Sequence, residues 1–204
     1  PLQAEQHRDQ CAAAATARSH VVASGSVTSE PLRAAQLHYY RLLGALEMRF
    51  SASTELQVQF VWRDAFQKVV RMGEGDLRYE SAAVLFNLAA GTSFAAIHTP
   101  RQDTERLKLA CNLFQSTAGI LELLLDHISS AAWANRSTVD LSPTALRTMR
   151  TLMLAQAQRC YYEKLPYISP ISPLYLPYIS PISPGAAVLL REAARRAEPL
   201  AAGA

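Results

Sequence analysis

Charge, glycine and ligand-forming residues are all sparse in this chain of 204 residues. Only 18% of it is charged, it has 8 glycines, and its 3 cysteines and 5 histidines are widely scattered. His7, His20, His38, His98 and His127 form no His-x-x-x-His pair, and no Cys-x-x-Cys accompanies them, so a metal centre lacks its sequence basis. No Gly-x-Ser-x-Gly elbow occurs. Gly73 and Gly75 could open a phosphate loop, but Arg78 stands where a dinucleotide fingerprint needs glycine. The carboxylates Asp64, Glu80, Glu122 and Asp140 fall on separate predicted elements, which leaves acid–base catalysis without a pair. No cofactor and no enzymatic activity are expected.

The net charge of +3 is mild and the basic residues are interleaved with acids, so nucleic acid is not an expected partner. No uncharged apolar run approaches the roughly eighteen residues of a membrane span, and no signal peptide precedes the first charges. Cys11, Cys111 and Cys160 are odd in number and sit in apolar helical patterns, as small buried hydrophobes of a reducing cytosol would. The start at Pro1 reads as that of a truncated chain.

Helix dominates what is there. Half of the residues are hydrophobic, and the long segments are rich in Ala, Leu, Gln and Arg. A first helix is expected from Gln3 to Val22. A second follows Ser29 and Pro31, with Leu32, Ala35, Tyr39, Leu43, Leu46 and Phe50 on one stripe. Leu56, Val58, Phe60 and Trp62 alternate with other residues, which predicts a short strand over 56–62. A short helix over 64–70 and a turn at Gly73–Gly75 are expected next. A third helix runs from Asp76 to Ile97, ahead of Pro100. Asp103 caps a fourth reaching Trp133, with Leu107, Cys111, Phe114, Ala118, Leu121 and Leu125 in line. Ser142 and Pro143 open a fifth along Leu146, Met149, Met153, Gln156 and Cys160. Short connections between such helices predict an all-α fold, a solenoid-like array of antiparallel hairpins of the tetratricopeptide kind.

After Lys164 the character changes. The segment Pro-Tyr-Ile-Ser-Pro-Ile-Ser-Pro occupies 166–173 and recurs identically at 177–184. Proline at this density excludes helix interior and central strand, and predicts a linker over 165–185, followed by a short helix and tail over 186–204. The helical domain is thus assigned to 1–164.

Five ordered segments resemble the BRO domain family of endosomal-sorting scaffolds. They are Phe60-Val61-Trp62-Arg63-Asp64-Ala65-Phe66, Tyr79-Glu80 with Val84-Leu85-Phe86-Asn87-Leu88-Ala89-Ala90, Phe114-Gln115 with Ala118-Gly119, Val139-Asp140-Leu141-Ser142, and Leu152-Met153-Leu154-Ala155-Gln156-Ala157-Gln158. ALIX-like scaffolds, their fungal relatives, the His-domain tyrosine phosphatase and rhophilin share this domain. The resemblance implies a partial, non-catalytic BRO-type domain, cytoplasmic and endosome-associated through partners, that binds the amphipathic helix of an ESCRT-III subunit. A small-GTPase effector, a pH-signalling scaffold or a truncated nonfunctional fragment are the alternatives. It implies partner contacts at Gln115, Leu154, Gln158, Tyr161, Tyr162 and Glu163. Structural signatures are Trp62, Asp64, Tyr79, Glu80, Phe86, Asn87, Gly119 and Gln156. Gly119 is expected to let two helices approach, and Asn87, Gln156 and Gln158, if buried, to need amide partners such as inter-helix clasps would provide. Two positions depart from the family pattern: Arg159 stands where Glu is usual, and Glu163 where members carry an apolar groove residue.

Overall fold

The structure is a computed structural model, and it describes residues 2–23, 29–48, 58–67 and 69–164. Among the described residues five α-helices follow one another: α1 (Leu2–Ala23), α2 (Glu30–Glu47), α3 (Leu77–His98), α4 (Thr104–Ser129) and α5 (Pro143–Lys164). Each packs on its neighbour in sequence, the arrangement of a solenoid in which every helix buries its stripe against the next. The proline repeat, the tail over 186–204, Phe50 and Leu56 lie outside the described residues.

Local chemistry sets the helix ends. The Ser29 side chain accepts from the Leu32 N–H, Asp76 from Arg78 and Asp103 from Arg106, each satisfying a donor that the first helical turn would leave unpaired. Along the stripes, Leu32, Tyr39 and Leu43 of α2, Leu107 through Leu121 of α4, and Leu146, Met153 and Cys160 of α5 are buried, as the steps of three and four predict. Phe114 and Met153 are buried, while Trp62 and Phe86 pack half-buried against the core.

By length and composition α3 could cross a membrane, with a mean hydropathy of 1.3. In this fold it is the central helix, flanked by α2 and α4, and most of its apolar residues, from Leu77 to Ala89, are core, while Phe94 and Ile97 are exposed.

The segment between α2 and α3 departs from expectation. Strand β1 spans Phe60–Arg63, and an antiparallel partner β2 occupies Arg71–Glu74, in the register Phe60↔Glu74 to Arg63↔Arg71. Residues 64–67, with Val69 and Val70, therefore belong to the hairpin loop and not to a helix: the Asp64 carboxylate takes the N–H groups of Phe66 and Gln67, which closes a turn in place of a helical start. Gly73 lies inside β2 opposite Val61 instead of forming a turn. A Cβ there would come within 2.9 Å of the Gln59 side-chain amide and 3.3 Å of Val61 Cγ2, so a larger residue would have to displace the free end of the exposed Gln59 side chain. Helix α4 stops at Ser129, short of the expected Trp133, because the chain tightens there into 3-10 turns that bury the Trp133 indole edge-on against Tyr79 at 5.2 Å. Cys11 is exposed, unlike the expected buried thiol, because α1 leaves much of its surface open.

Candidate functional site

Two buried carboxylate clusters hold the hairpin. Glu80 has 0% exposure and receives Arg18 Nε at 2.7 Å, the Tyr39 hydroxyl at 2.9 Å and the Trp62 indole N–H. One side chain of α3 thus ties together α1, α2 and β1. The Arg18 guanidinium also lies over the Phe60 and Trp62 rings, at 5.9 and 5.8 Å. Burial, then the Glu80 charge, pushes the Tyr39 hydroxyl far above its ordinary range.

Asp64 and Asp140 form the second cluster, a reciprocal clasp. The Val139 N–H donates to Asp64 Oδ2 at 2.7 Å, and the Ala65 N–H donates to Asp140 Oδ2 at 2.8 Å. Burial alone would raise the Asp64 carboxyl, but backbone donors from Gln67, Phe66, Val139 and Asp140 outweigh it and hold the group below its usual value. Burial and the carboxylates of Asp140, Glu80 and Glu74 push the Tyr79 hydroxyl up to about 12. These carboxylates are saturated by donors of their own chain, so they fasten elements together and offer nothing to a substrate.

Burial, the condition for amide clasps at Asn87, Gln156 and Gln158, is not met. Asn87, Gln156 and Gln158 are only half-buried, so water can reach their amides, and the clasping falls to Glu80, Asp64 and Asp140. Gly119 is no close helix crossing either: it is exposed, and a Cβ there would meet nothing within 4 Å.

That openness has a place. Lys108, Asn112, Gln115, Gly119 and Glu122 recur at steps of four, three, four and three, and all are exposed, so they form one edge of α4. Arg150, Leu154, Gln158 and Tyr161 do the same on α5, and of these Leu154 and Tyr161 are exposed. Three contacts set the two edges side by side and antiparallel. Arg150 pairs with Glu122 at one end, and the Cys111 thiol donates to the Ala157 carbonyl at 3.5 Å in the middle. At the other end Tyr161 shares a cavity of about 40 Å³ with Leu107, Lys108, Cys111, Asn112 and Cys160. The result is a shallow trough about four helical turns long, apolar at Leu154 and Tyr161 and unobstructed at Gly119.

Four of the six expected contact residues, Gln115, Leu154, Gln158 and Tyr161, therefore come together. Tyr162 is exposed and follows Tyr161 on α5, but it does not line the cavity that Tyr161 shares with α4. Glu163 turns the other way: its carboxylate accepts from Arg101 at 3.0 and 3.1 Å and from Arg159 at 2.9 Å. The two departures from the family pattern thus pair with each other, and Glu163 anchors the end of α5 to the α3–α4 connection. Lys108, Asn112 and Glu122 belong to the trough and escaped the sequence reading, although their spacing from Gln115 was visible. Among the described residues no group of three or more His, Cys, Asp or Glu could hold a metal.

The model of the family described as "BRO1-like domain" matches residues 2–172. The chain is 37% identical over 127 residues to ALG-2 interacting protein X of Dictyostelium discoideum, covering 62% of this chain and 16% of that protein. It is 35% identical over 144 residues to the vacuolar-sorting protein BRO1 of Arabidopsis thaliana, covering 66% of this chain and 17% of the relative. The chain thus spans about a sixth of the curated relatives it matches. Among solved structures, the ALIX BRO1 CHMP4C complex aligns with a TM-score of 0.70 at 29% identity, over 78% of this chain and 46% of that one. ALIX in complex with the SIVmac239 PYKEVTEDL late domain aligns with a TM-score of 0.71 at 28% identity, over 80% and 25%.

Proposed function

Since the chain belongs to the BRO1-like domain family, we propose that it is a non-enzymatic docking module whose α4–α5 trough receives the amphipathic helix of an ESCRT-III subunit. The family's members are scaffold proteins, several of them in vacuolar and endosomal sorting. One observation carries the reading. The trough is an exposed, partly apolar channel between two antiparallel helices, with a glycine at its centre that leaves space for an incoming helix. Such a surface suits helix-in-groove recognition, in which apolar anchors at steps of three and four enter while polar edges fix the register. The complex of the ALIX BRO1 chain with CHMP4C supports the choice of partner. Endosomal attachment on the cytoplasmic side would then follow from the partner.

Titration with a fluorescently labelled C-terminal helix of an ESCRT-III subunit tests it. Binding in the micromolar range is expected, about 8 kcal/mol. Leu154→Asp should weaken it at least about tenfold, because it places a charge against the partner's apolar face. A titration that never saturates up to millimolar peptide rejects the reading.

A further inference from the structure

Cys111 of α4 and Cys160 of α5 are both buried in the joint between the two helices. Cys111 lies eleven positions before Glu122 and Cys160 ten positions after Arg150, so the ion pair of Glu122 with Arg150 sets the cysteines level across the antiparallel helices. The Cys111 thiol donates to the Ala157 carbonyl at 3.5 Å. In an α-helix such an oxygen points into the turn made by the residues three and four positions on, here Cys160 and Tyr161, while side chains lean back toward the N-terminus. Cys160 therefore leans toward the oxygen that Cys111 already touches, and both thiols line the cavity of about 40 Å³. Ala110 and Ala157, buried at this level, put little bulk between the backbones, as the Cα span of about 4.4–6.8 Å across a disulfide requires.

The cavity also selects a reagent. Its walls include Lys108, Asn112 and Tyr161, all exposed, so it opens to solvent. Holding a water takes roughly 10–15 Å³ of such volume, so a cavity of about 40 Å³ admits hydrogen peroxide and excludes a tripeptide disulfide such as oxidised glutathione. Burial pushes the Cys160 thiol up, with Glu163 adding to the rise and Arg101 and Arg159 opposing it, so thiolate is scarce at neutral pH and its oxidation is slow.

We propose that Cys111 and Cys160 form a modification site for hydrogen peroxide, which joins them in a disulfide that staples α4 to α5. Peroxide transfers one oxygen to the first sulfur, giving a sulfenic acid, and leaves as water. The second sulfur attacks the first, the S–S bond forms, and the oxygen departs with the second thiol's proton as another water. Two thiols are thus oxidised by two electrons and one peroxide is reduced to two waters. A small thiol reverses the link by exchange, the behaviour of a transient disulfide in a reducing compartment. The staple fastens the two helices that form the trough, whatever occupies it.

Peroxide treatment of the reduced full chain, then alkylation and peptide mapping without reductant, tests the idea. The change Cys11→Ser keeps the exposed third thiol from joining separate molecules. A peptide linking Cys111 to Cys160 should appear, the thermal midpoint should rise by about 5 °C or more, and dithiothreitol should undo both. Cys160→Ala should make the midpoint insensitive to peroxide; if that variant does not fold, the map of the parent chain still decides. Both thiols remaining open to alkylation after prolonged exposure, separate sulfinic acids without a link, or a linked form that melts no higher than the reduced one would overturn the proposal. Linking by oxidised glutathione as fast as by peroxide would overturn the choice of oxidant.

Discussion

The two halves of this domain are held by different physics. Where α1, α2 and the hairpin meet α3, apolar contacts through Val21, Tyr39, Leu43 and Phe60 are pinned by buried carboxylates, Glu80 with three donors and Asp64 with Asp140. Where α4 meets α5, the joint is apolar, built from Leu107, Phe114, Leu121, Leu146, Met153 and Ala157, with ion pairs only at its rim. Long helices with matching stripes need no specific polar partner, because apolar burial is non-directional. A four-residue strand pair has too little apolar area to choose its own seat, and directional hydrogen bonds choose it instead. The carboxylate half is accordingly specified in position, while the apolar half is free to expose a trough.

The strongest test of that contrast is Glu80→Ala. Removing the carboxylate strands Arg18 and leaves the Tyr39 and Trp62 donors without their acceptor, with an expected loss of about 3–5 kcal/mol in denaturant unfolding. Leu146→Ala, at a fully buried site in the other half, should cost about 2–5 kcal/mol through lost burial and the remaining cavity. Limited proteolysis separates the two: cleavage within α1 should rise in the Glu80 variant, which loses the Arg18 tether, and not in the Leu146 variant. Equal protection of α1 in both would break the comparison.

Extremes of pH should act on the carboxylate half first. Tyr79 ionises near 12 in the fold against 10.0 in the unfolded chain, so its contribution is complete below pH 10 and disappears as pH rises toward 12. Asp64 has the opposite sign. Its folded value lies below 3.8, so its contribution is complete above that value and is lost as pH falls below it. Near-ultraviolet circular dichroism, which senses the packing of Trp62 and Trp133, should decline in both ranges before helical content does. Simultaneous loss of both signals would count against separable halves.

The smallest expected effect lies in the trough. Gly119→Ala removes a flexible residue from a helix interior where a methyl group meets nothing, so it should stabilise the chain by about 0.5–1 kcal/mol. If an incoming helix uses that space, the same change weakens peptide binding. Paired thermal melts and titrations would show the two effects together, and tighter or unchanged binding would mean that the glycine is not part of the contact.

The apolar half was the more legible in sequence. Stripes such as Leu107-Cys111-Phe114-Ala118-Leu121 reveal helix and buried face together, because one period encodes both. The second strand was not legible, since Arg71-Met72-Gly73-Glu74 carries only one clear inward apolar residue, and its pairing depends on Asp64, Glu80 and Asp140 meeting from distant positions. The trough was legible where Leu154, Gln158 and Tyr161 repeat along one helix. Its other wall depends on how α4 rotates against α5, and the Arg150–Glu122 pair that fixes this rotation leaves no local pattern. The ion pair of Glu163 left no sign in the sequence for the same reason, as its partner Arg101 lies 62 positions away.

The reach of the Asp64 clasp bears on the order in which the chain assembles. Its bond to Val139 joins positions 75 residues apart, whereas α1 meets α2, α3 meets α4 and α4 meets α5 through much shorter connections. Local pairings close small loops and form early, and the clasp can close only after α3 and α4 have brought the 3-10 turn at Val139–Leu141 back to the hairpin. On refolding, the hairpin would be the last part to lock, so a chain leaving the ribosome would carry an unseated tip until the turn beyond α4 had emerged.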